Sequence, residues 1–132
     1  MAETIDGRDG ARKRLGASGE RVAANWLEAR GYRIVARNWR CPYGEIDLIA
    51  EQDSELVFVE VKTRRGTSHG APEEAITPAK RTRLIAAMQT YLAESGTRDD
   101  QPFRIDVIAV DVAASGAFQG VRHFPRAVGA EE

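Results

Sequence analysis

The apolar positions of this chain follow two periods, and the changes of period mark out its elements. At about 100° per residue from Ala11 onward, Leu15, Gly19, Val22, Ala23, Trp26 and Leu27 fall on one helical stripe that Gly31 brings to a stop. Glu20 lies at the edge of that stripe, where a glutamate either snorkels into solvent or reaches over the rim of the core. Residues 32–39 alternate weakly, with Tyr32, Ile34 and Ala36 on one side, which predicts a first strand. Residues 45–50 and 56–63 alternate more strongly on either side of the polar run EQDSE and read as a hairpin. With its loop at residues 52–55, Asp47 faces Glu60 and Glu45 faces Lys62. A slip of one residue would separate them, so the site depends on this register.

The stretch 64–76 (RRGTSHGAPEEAI) reads as a mobile loop. Thr77 followed by Pro78 is an N-cap and first-turn signature, Leu84, Ala87, Met88, Tyr91 and Leu92 mark a buried stripe, and Gly96 ends the helix. Residues 103–110 are apolar on both faces apart from Arg104 and Asp106 and predict an interior strand, parallel to 56–63 because a helix connects the two. A short edge strand at 120–124 is expected to end at Pro125. The fold class is α/β, a mixed sheet flanked by helices in the order α-β-β-β-α-β(-β).

Length adds that 132 residues hold one domain. It is placed at 15–127, between a flexible N-terminal segment 1–14 and a tail 128–132. No apolar run approaches the roughly 20 residues of a membrane span, and the start MAETIDGRDGARKR has no apolar core of a signal peptide, so a cytoplasmic protein without membrane association is expected. A single cysteine, Cys41, excludes an internal disulfide and a multi-cysteine zinc site.

Charge changes the picture more. The formal net of −1 hides segregation: residues 8–40 carry +6, 41–62 carry −5 and 63–90 carry +3. An acidic hairpin between basic segments suits metal ions beside phosphates, whereas the plain alternative is a set of solvated faces. On the second hairpin strand Leu56, Phe58, Glu60 and Lys62 share a face, so Glu60 is partly buried and needs a partner. A Glu60–Lys62 pair accounts for those two but not for Asp47. With Glu45, three acids then oppose one base, a repulsive set unless a cation or proton intervenes. Hard oxygen ligands with room for water suit Mg²⁺.

Asp47 followed by Glu60-Val61-Lys62 has the D-x(n)-E-x-K form of restriction-endonuclease-like nucleases. The fuller run GERVAANWLEARGYRIVARNWR, GEIDLIA, LVFVEVKTR, the Lys80 helix and RIDVIAV resembles the YraN-like family of bacterial proteins, which is similar to archaeal Holliday-junction resolvases. The resemblance spans residues 15–127 and implies a restriction-endonuclease-like core. It further implies that Asp47 and Glu60 ligate Mg²⁺, or Mn²⁺ in its place, with the carbonyl of Val61, that Lys62 positions or activates water, and that Glu20, which matches the helix glutamate of the resolvase-like branch, joins the catalytic and metal-ligating set. Glu45 is a supporting acid. The proline that precedes the aspartate in many restriction enzymes is replaced by Ile46.

Arg64 and Arg65, carried out from Lys62, are placed as a phosphate clamp. Lys80, Arg81 and Arg83 crowd the start of the second helix, where the macrodipole disfavours cations. Either phosphate or a loop carboxylate, Glu73 or Glu74, compensates them, and Lys80 and Arg83 join the candidate nucleic-acid contacts. Asp106 is read as structural, His123 as a packing or hydrogen-bonding residue, Trp26 and Trp39 as packed, and His69 as a loop residue. No phosphate-binding glycine loop is present, so no nucleotide cofactor is expected. The expected function is Mg²⁺-dependent hydrolysis of phosphodiester bonds in DNA, branched or recombination and repair intermediates included. A non-catalytic nucleic-acid-binding module on the same fold is the alternative, and a protein with ordinary surface salt bridges is a third. Two-strand cleavage would favour a C2 homodimer.

Overall fold

The computed structural model describes residues 8–66 and 76–128, with side chains described over 19–66 and 76–127. Its elements are α1 (Arg8–Ala29), β1 (Arg33–Cys41), β2 (Gly44–Gln52), β3 (Glu55–Arg65), α2 (Pro78–Glu94), β4 (Phe103–Val112) and β5 (Phe118–Val128). The mixed α/β order is the expected one. Helix α1 begins before Ala11, so residues 8–14, grouped above with a flexible segment, are helical. The side chain of Leu15, and the loop residues His69, Glu73 and Glu74, lie outside the described residues.

One five-stranded sheet runs in the order β1-β2-β3-β4-β5. Neighbours are antiparallel except β3 and β4, which are parallel and joined through α2. The β2–β3 register is the expected one, with Ile49 opposite Phe58 and Gln52 opposite Glu55. The loop is shorter than expected: Gln52 and Glu55 pair, leaving only Asp53 and Ser54 at the turn. Both take positive φ (54° and 68°), which a right-twisted two-residue hairpin requires.

Each face of the sheet carries one helix. Ala23, Ala24 and Leu27 of α1 pack on Leu48, Ala50, Val57, Val59, Ile108 and Val110, while Leu84, Ala87 and Met88 of α2 pack on Ile46, Ile49, Phe58 and Ile105. Ile46 is a correction to strict alternation. It joins Ile49 on the α2 face rather than Leu48 and Ala50, so β2 changes its facing at Asp47. Trp39 packs on the α2 side, edge-on to Tyr91 at 5.3 Å, and Trp26 packs at the border of the α1 cluster.

Strand β5 is longer than expected and continues through Pro125. Its register with β4 shifts between Ile105 and Val107, and Arg126 takes a φ of 55° there. Pro125 has no N–H to pair, and a bulge accommodates it. The N–H of Arg126 donates instead to Oδ1 of Asp106 at 3.0 Å.

Candidate functional site

Three elements converge where the β2–β3 ladder ends. Its last paired rung among the described residues is Leu48 with Val59. One residue on, the backbone N–H of Val61 donates to Oδ2 of Asp47 at 2.8 Å. A side chain thus takes over from the ladder at the point where β2 changes face, which fixes the Asp47 carboxylate against β3. Its position beside Glu60 is felt electrostatically: Asp47 is pushed up to about 7, first by burial and then by the charge of Glu60, with Glu20 and Glu45 adding to it and the Val61 N–H opposing.

Glu60 is buried on the α2 face at 5% exposure. Two ammonium groups compensate it, Lys80 Nζ at 2.6 Å and Lys62 Nζ at 3.3 Å from Oε2. The cation that crowds the start of α2 therefore finds its counter-charge in β3. Neither of the compensations weighed from sequence accounts for this contact. Thr77 caps the helix by accepting from the Lys80 N–H at 3.1 Å, which holds that first turn, and with it Lys80, over the site. Burial lowers the Lys62 pKa, and the hydrogen bond from neighbouring Lys80 lowers it further. Burial also works against the charge on Lys80, but hydrogen bonding to Glu60 and Lys62 outweighs it and raises its pKa.

Glu20 and Glu45 are brought together by a residue that sequence reasoning missed. Asn38 Nδ2 donates to Glu20 Oε1 and to Glu45 Oε2, each at 2.8 Å, so one amide bridges helix and sheet. Asn38 has a φ of 50° inside β1, a conformation that asparagine tolerates better than most residues. An asparagine interrupting a weakly alternating strand was the available signal. Glu45 lies near Arg40, 3.9 Å from its Nε, and the expected pairing of Glu45 with Lys62 is not formed. Gly19 lets α1 pass close over β3, since a Cβ there would collide with the Thr63 side chain. That approach brings Glu20, the next residue, to the edge of the site.

The remaining candidates separate. Arg83 lines a cleft with Glu60, Lys80, Tyr43, Gly44, Glu45 and Leu84. Arg64 and Arg65 belong to β3 rather than to the loop. The Arg65 guanidinium donates to the carbonyl of Ala114 at 2.7 Å, which ties it to the β4–β5 connection. Arg64 is half-buried beyond Lys62. Asp106 has the structural role expected of it: it is fully buried, and Arg104 Nε, His123 Nε2 and the Arg126 N–H all donate to it. The His123 ring also packs edge-on to Trp26 and Tyr32.

The donors present fit a hard divalent cation. No three His, Cys, Asp or Glu residues converge into a ready cage among the described residues. Mg²⁺ does not need one, because it is typically held by one or two carboxylates and completes its shell with water or substrate phosphate. Asp47 and Glu60 provide such a pair, and the high pKa of Asp47 marks negative charge that the two lysines leave only partly balanced. No helix among the described residues is long and apolar enough to cross a membrane.

The chain is similar to proteins from several bacteria. A UPF0102 protein of Roseiflexus castenholzii is 48% identical over 119 residues, covering 90% of this chain and 96% of its own. A second, from Symbiobacterium thermophilum, is 51% identical over 104 residues, covering 79% and 87%. Among solved structures, Pyrococcus furiosus SfsA in complex with Ca²⁺ aligns with a TM-score of 0.42 and 19% identity over 83% of this chain. The chain spans 63% of that protein's length, and the likeness is too loose to build on. The profile described as "Uncharacterised protein family UPF0102" matches residues 19–110, from the close approach of α1 through the carboxylate site to β4. This chain, with its mixed α/β fold, belongs to the UPF0102 (YraN-like) family.

Proposed function

We propose that this protein hydrolyses phosphodiester bonds of DNA with Mg²⁺, or Mn²⁺ in its place, bound at Asp47 and Glu60. The observation that carries the reading is the pair of inward carboxylates at the end of the β2–β3 ladder, with Lys62 3.3 Å from Glu60 and Asp47 held near neutrality by burial and neighbouring acids. Asp47, Glu60 and the Val61 carbonyl would hold the ion. When bound, it would supply Lewis acidity toward a phosphoryl oxygen and a more acidic water.

The chain's own groups do the rest. The part-buried Lys62 ammonium orients the attacking water and stabilises negative charge developing on the phosphate. Its lowered pKa also makes it readier than an exposed lysine to release a proton. Arg83, at the mouth of the cleft, holds the phosphate backbone, and Arg64 extends that contact along β3. Glu20 and Glu45, coupled through Asn38, are supporting acids at the edge. Branched DNA is the preferred substrate class on this reading, and a C2 pair of chains would present one such site to each of two strands.

A second reading, a nucleic-acid-binding module without cleavage, is favoured by the two ammonium groups already on Glu60. Labelled branched and linear DNA, incubated with Mg²⁺ or Mn²⁺, separates the two. Cleavage by the wild type that is lost in Asp47→Asn and Glu60→Gln supports the nuclease. Binding without cleavage of either substrate supports the second reading, and neither binding nor cleavage contradicts both.

A further inference from the structure

Tyr43 sits in the tight connection between β1 and β2, where Gly44 takes a φ of 143° and turns the chain back. It is 54% exposed, one of three large hydrophobic residues left open among the described residues. The other two have different surroundings. Val35 is 36% exposed, and Phe118 borders an apolar groove with Val22, Val112 and Gly19, without a charged group. Tyr43 instead lines the cleft that holds Glu60, Lys80 and Arg83. Its ring meets no other ring among the described residues.

A flat aromatic surface kept in water in a cleft that carries two cations, Lys80 and Arg83, beside Glu60 and Glu45 matches what a nucleic-acid strand presents at close range. Phosphates answer the cations, and a base answers the ring. A base can lie on a side-chain ring only when it is out of its own stack, so such a platform engages single-stranded or splayed nucleotides and leaves a closed duplex alone.

We infer that Tyr43 is a substrate-positioning residue that stacks on an unpaired base next to the phosphate held at the Glu60 cleft, giving this site a preference for DNA with single-stranded or unpaired nucleotides at the reacting position. The inference rests on the nucleic-acid reading above and deepens it by naming the feature of the substrate that is recognised. Tyr43 acts through base contact and does not enter the chemistry.

The test isolates bases from phosphates. Two labelled DNA hairpins carry single-stranded flaps of equal length, one of thymidines and one of abasic residues, so their backbone charge is the same. Affinities are measured by fluorescence anisotropy in Ca²⁺ for the wild type, Tyr43→Ala and Tyr43→Trp. The expected result is about tenfold tighter binding of the thymidine flap by the wild type, in the range of one base–aromatic stack. Tyr43→Ala should bind both flaps equally and Tyr43→Trp should retain the preference. Equal binding of both flaps by the wild type overturns the stacking role while leaving nucleic-acid binding intact. A preference that survives in Tyr43→Ala overturns it as well. Failure of the wild type to bind either hairpin overturns the nucleic-acid reading together with the inference.

Discussion

Two aspartates on one sheet, Asp106 fully buried and Asp47 half-buried, show what separates a structural acid from a reactive one. Asp106 on β4 is fully buried, and burial alone would favour its neutral form. Hydrogen bonds from His123, Arg104 and the Arg126 N–H outweigh that and lower its pKa. The arrangement extends outward: Arg104 also donates to Glu55 at 2.9 Å and to the Tyr32 hydroxyl at 2.8 Å, so each charge meets its complement. Asp47 on β2 is pushed up to about 7, first by burial and then by the charge of Glu60, with Glu20 and Glu45 adding to it and the Val61 N–H offsetting only part. The sheet satisfies one acid and frustrates the other. Strongly perturbed groups of the second kind concentrate at functional sites.

Breaking the satisfied acid has the largest expected effect. Asp106→Ala leaves Arg104, whose side chain is 12% exposed, without its main counter-charge. A loss of about 3–5 kcal/mol is expected in urea unfolding, the range for removing one partner of a buried pair. A loss below about 1 kcal/mol would show that the network is not what holds β5.

The opposite sign is expected at Asp47. Its folded pKa, about 7, lies above the unfolded value of 3.8, so the folded state binds the extra proton. The proton-linked stability is therefore complete below about pH 4 and lost as pH rises through about 7. Asparagine keeps an acceptor for the Val61 N–H without the charge. Asp47→Asn should match the wild type below about pH 4 and exceed its stability by about 1–2 kcal/mol at pH 8 without divalent ions. Asp106 runs the other way: with its pKa lowered, its contribution is present above the unfolded value and is lost as pH falls through the folded one. Unfolding curves of Asp47→Asn and wild type from below pH 4 to pH 8 check the sign at Asp47.

Lys80 sharpens the comparison, because it supplies Glu60 with the charge that a metal ion would replace. Lys80→Gln should tighten Mg²⁺ binding by about tenfold in calorimetry, equivalent to roughly 1.4 kcal/mol. Weaker binding would make Lys80 a support of the cation site rather than a competitor. The smallest effect is expected for Tyr32→Phe, which removes one acceptor from Arg104 and should cost about 1 kcal/mol in the same unfolding assay.

Much of this was legible in the sequence because it is local or set by a short hairpin. The period of two in LVFVEVK fixes which residues share a face, and the polar turn sets the register whose last rung, Leu48 with Val59, leaves Asp47 next to Glu60. Glu60 with Lys62 and the Thr77 cap follow from spacings of a few residues. What was not legible depends on contacts between distant segments or on broken periodicity. Lys80 reaches Glu60 only because α2 crosses back over β3, and nothing near Lys80 in sequence signals it. Ile46 changes face because Asp47 bonds to Val61 in place of the regular ladder, which an alternation rule cannot anticipate. Asn38 joins Glu20 and Glu45 through a positive φ within a strand, and β5 passes Pro125 because Asp106 receives the Arg126 N–H at the bulge.

The most direct measurement is calorimetric titration of Mg²⁺ into the wild type, Asp47→Asn and Glu60→Gln at pH 6 and pH 8. The frustrated site predicts binding by the wild type that is tighter at pH 8, where Asp47 has lost its proton. It predicts loss of that binding in both variants. Absence of Mg²⁺ binding by the wild type at either pH, or binding unchanged by Asp47→Asn, would contradict a cation site at Asp47 and Glu60.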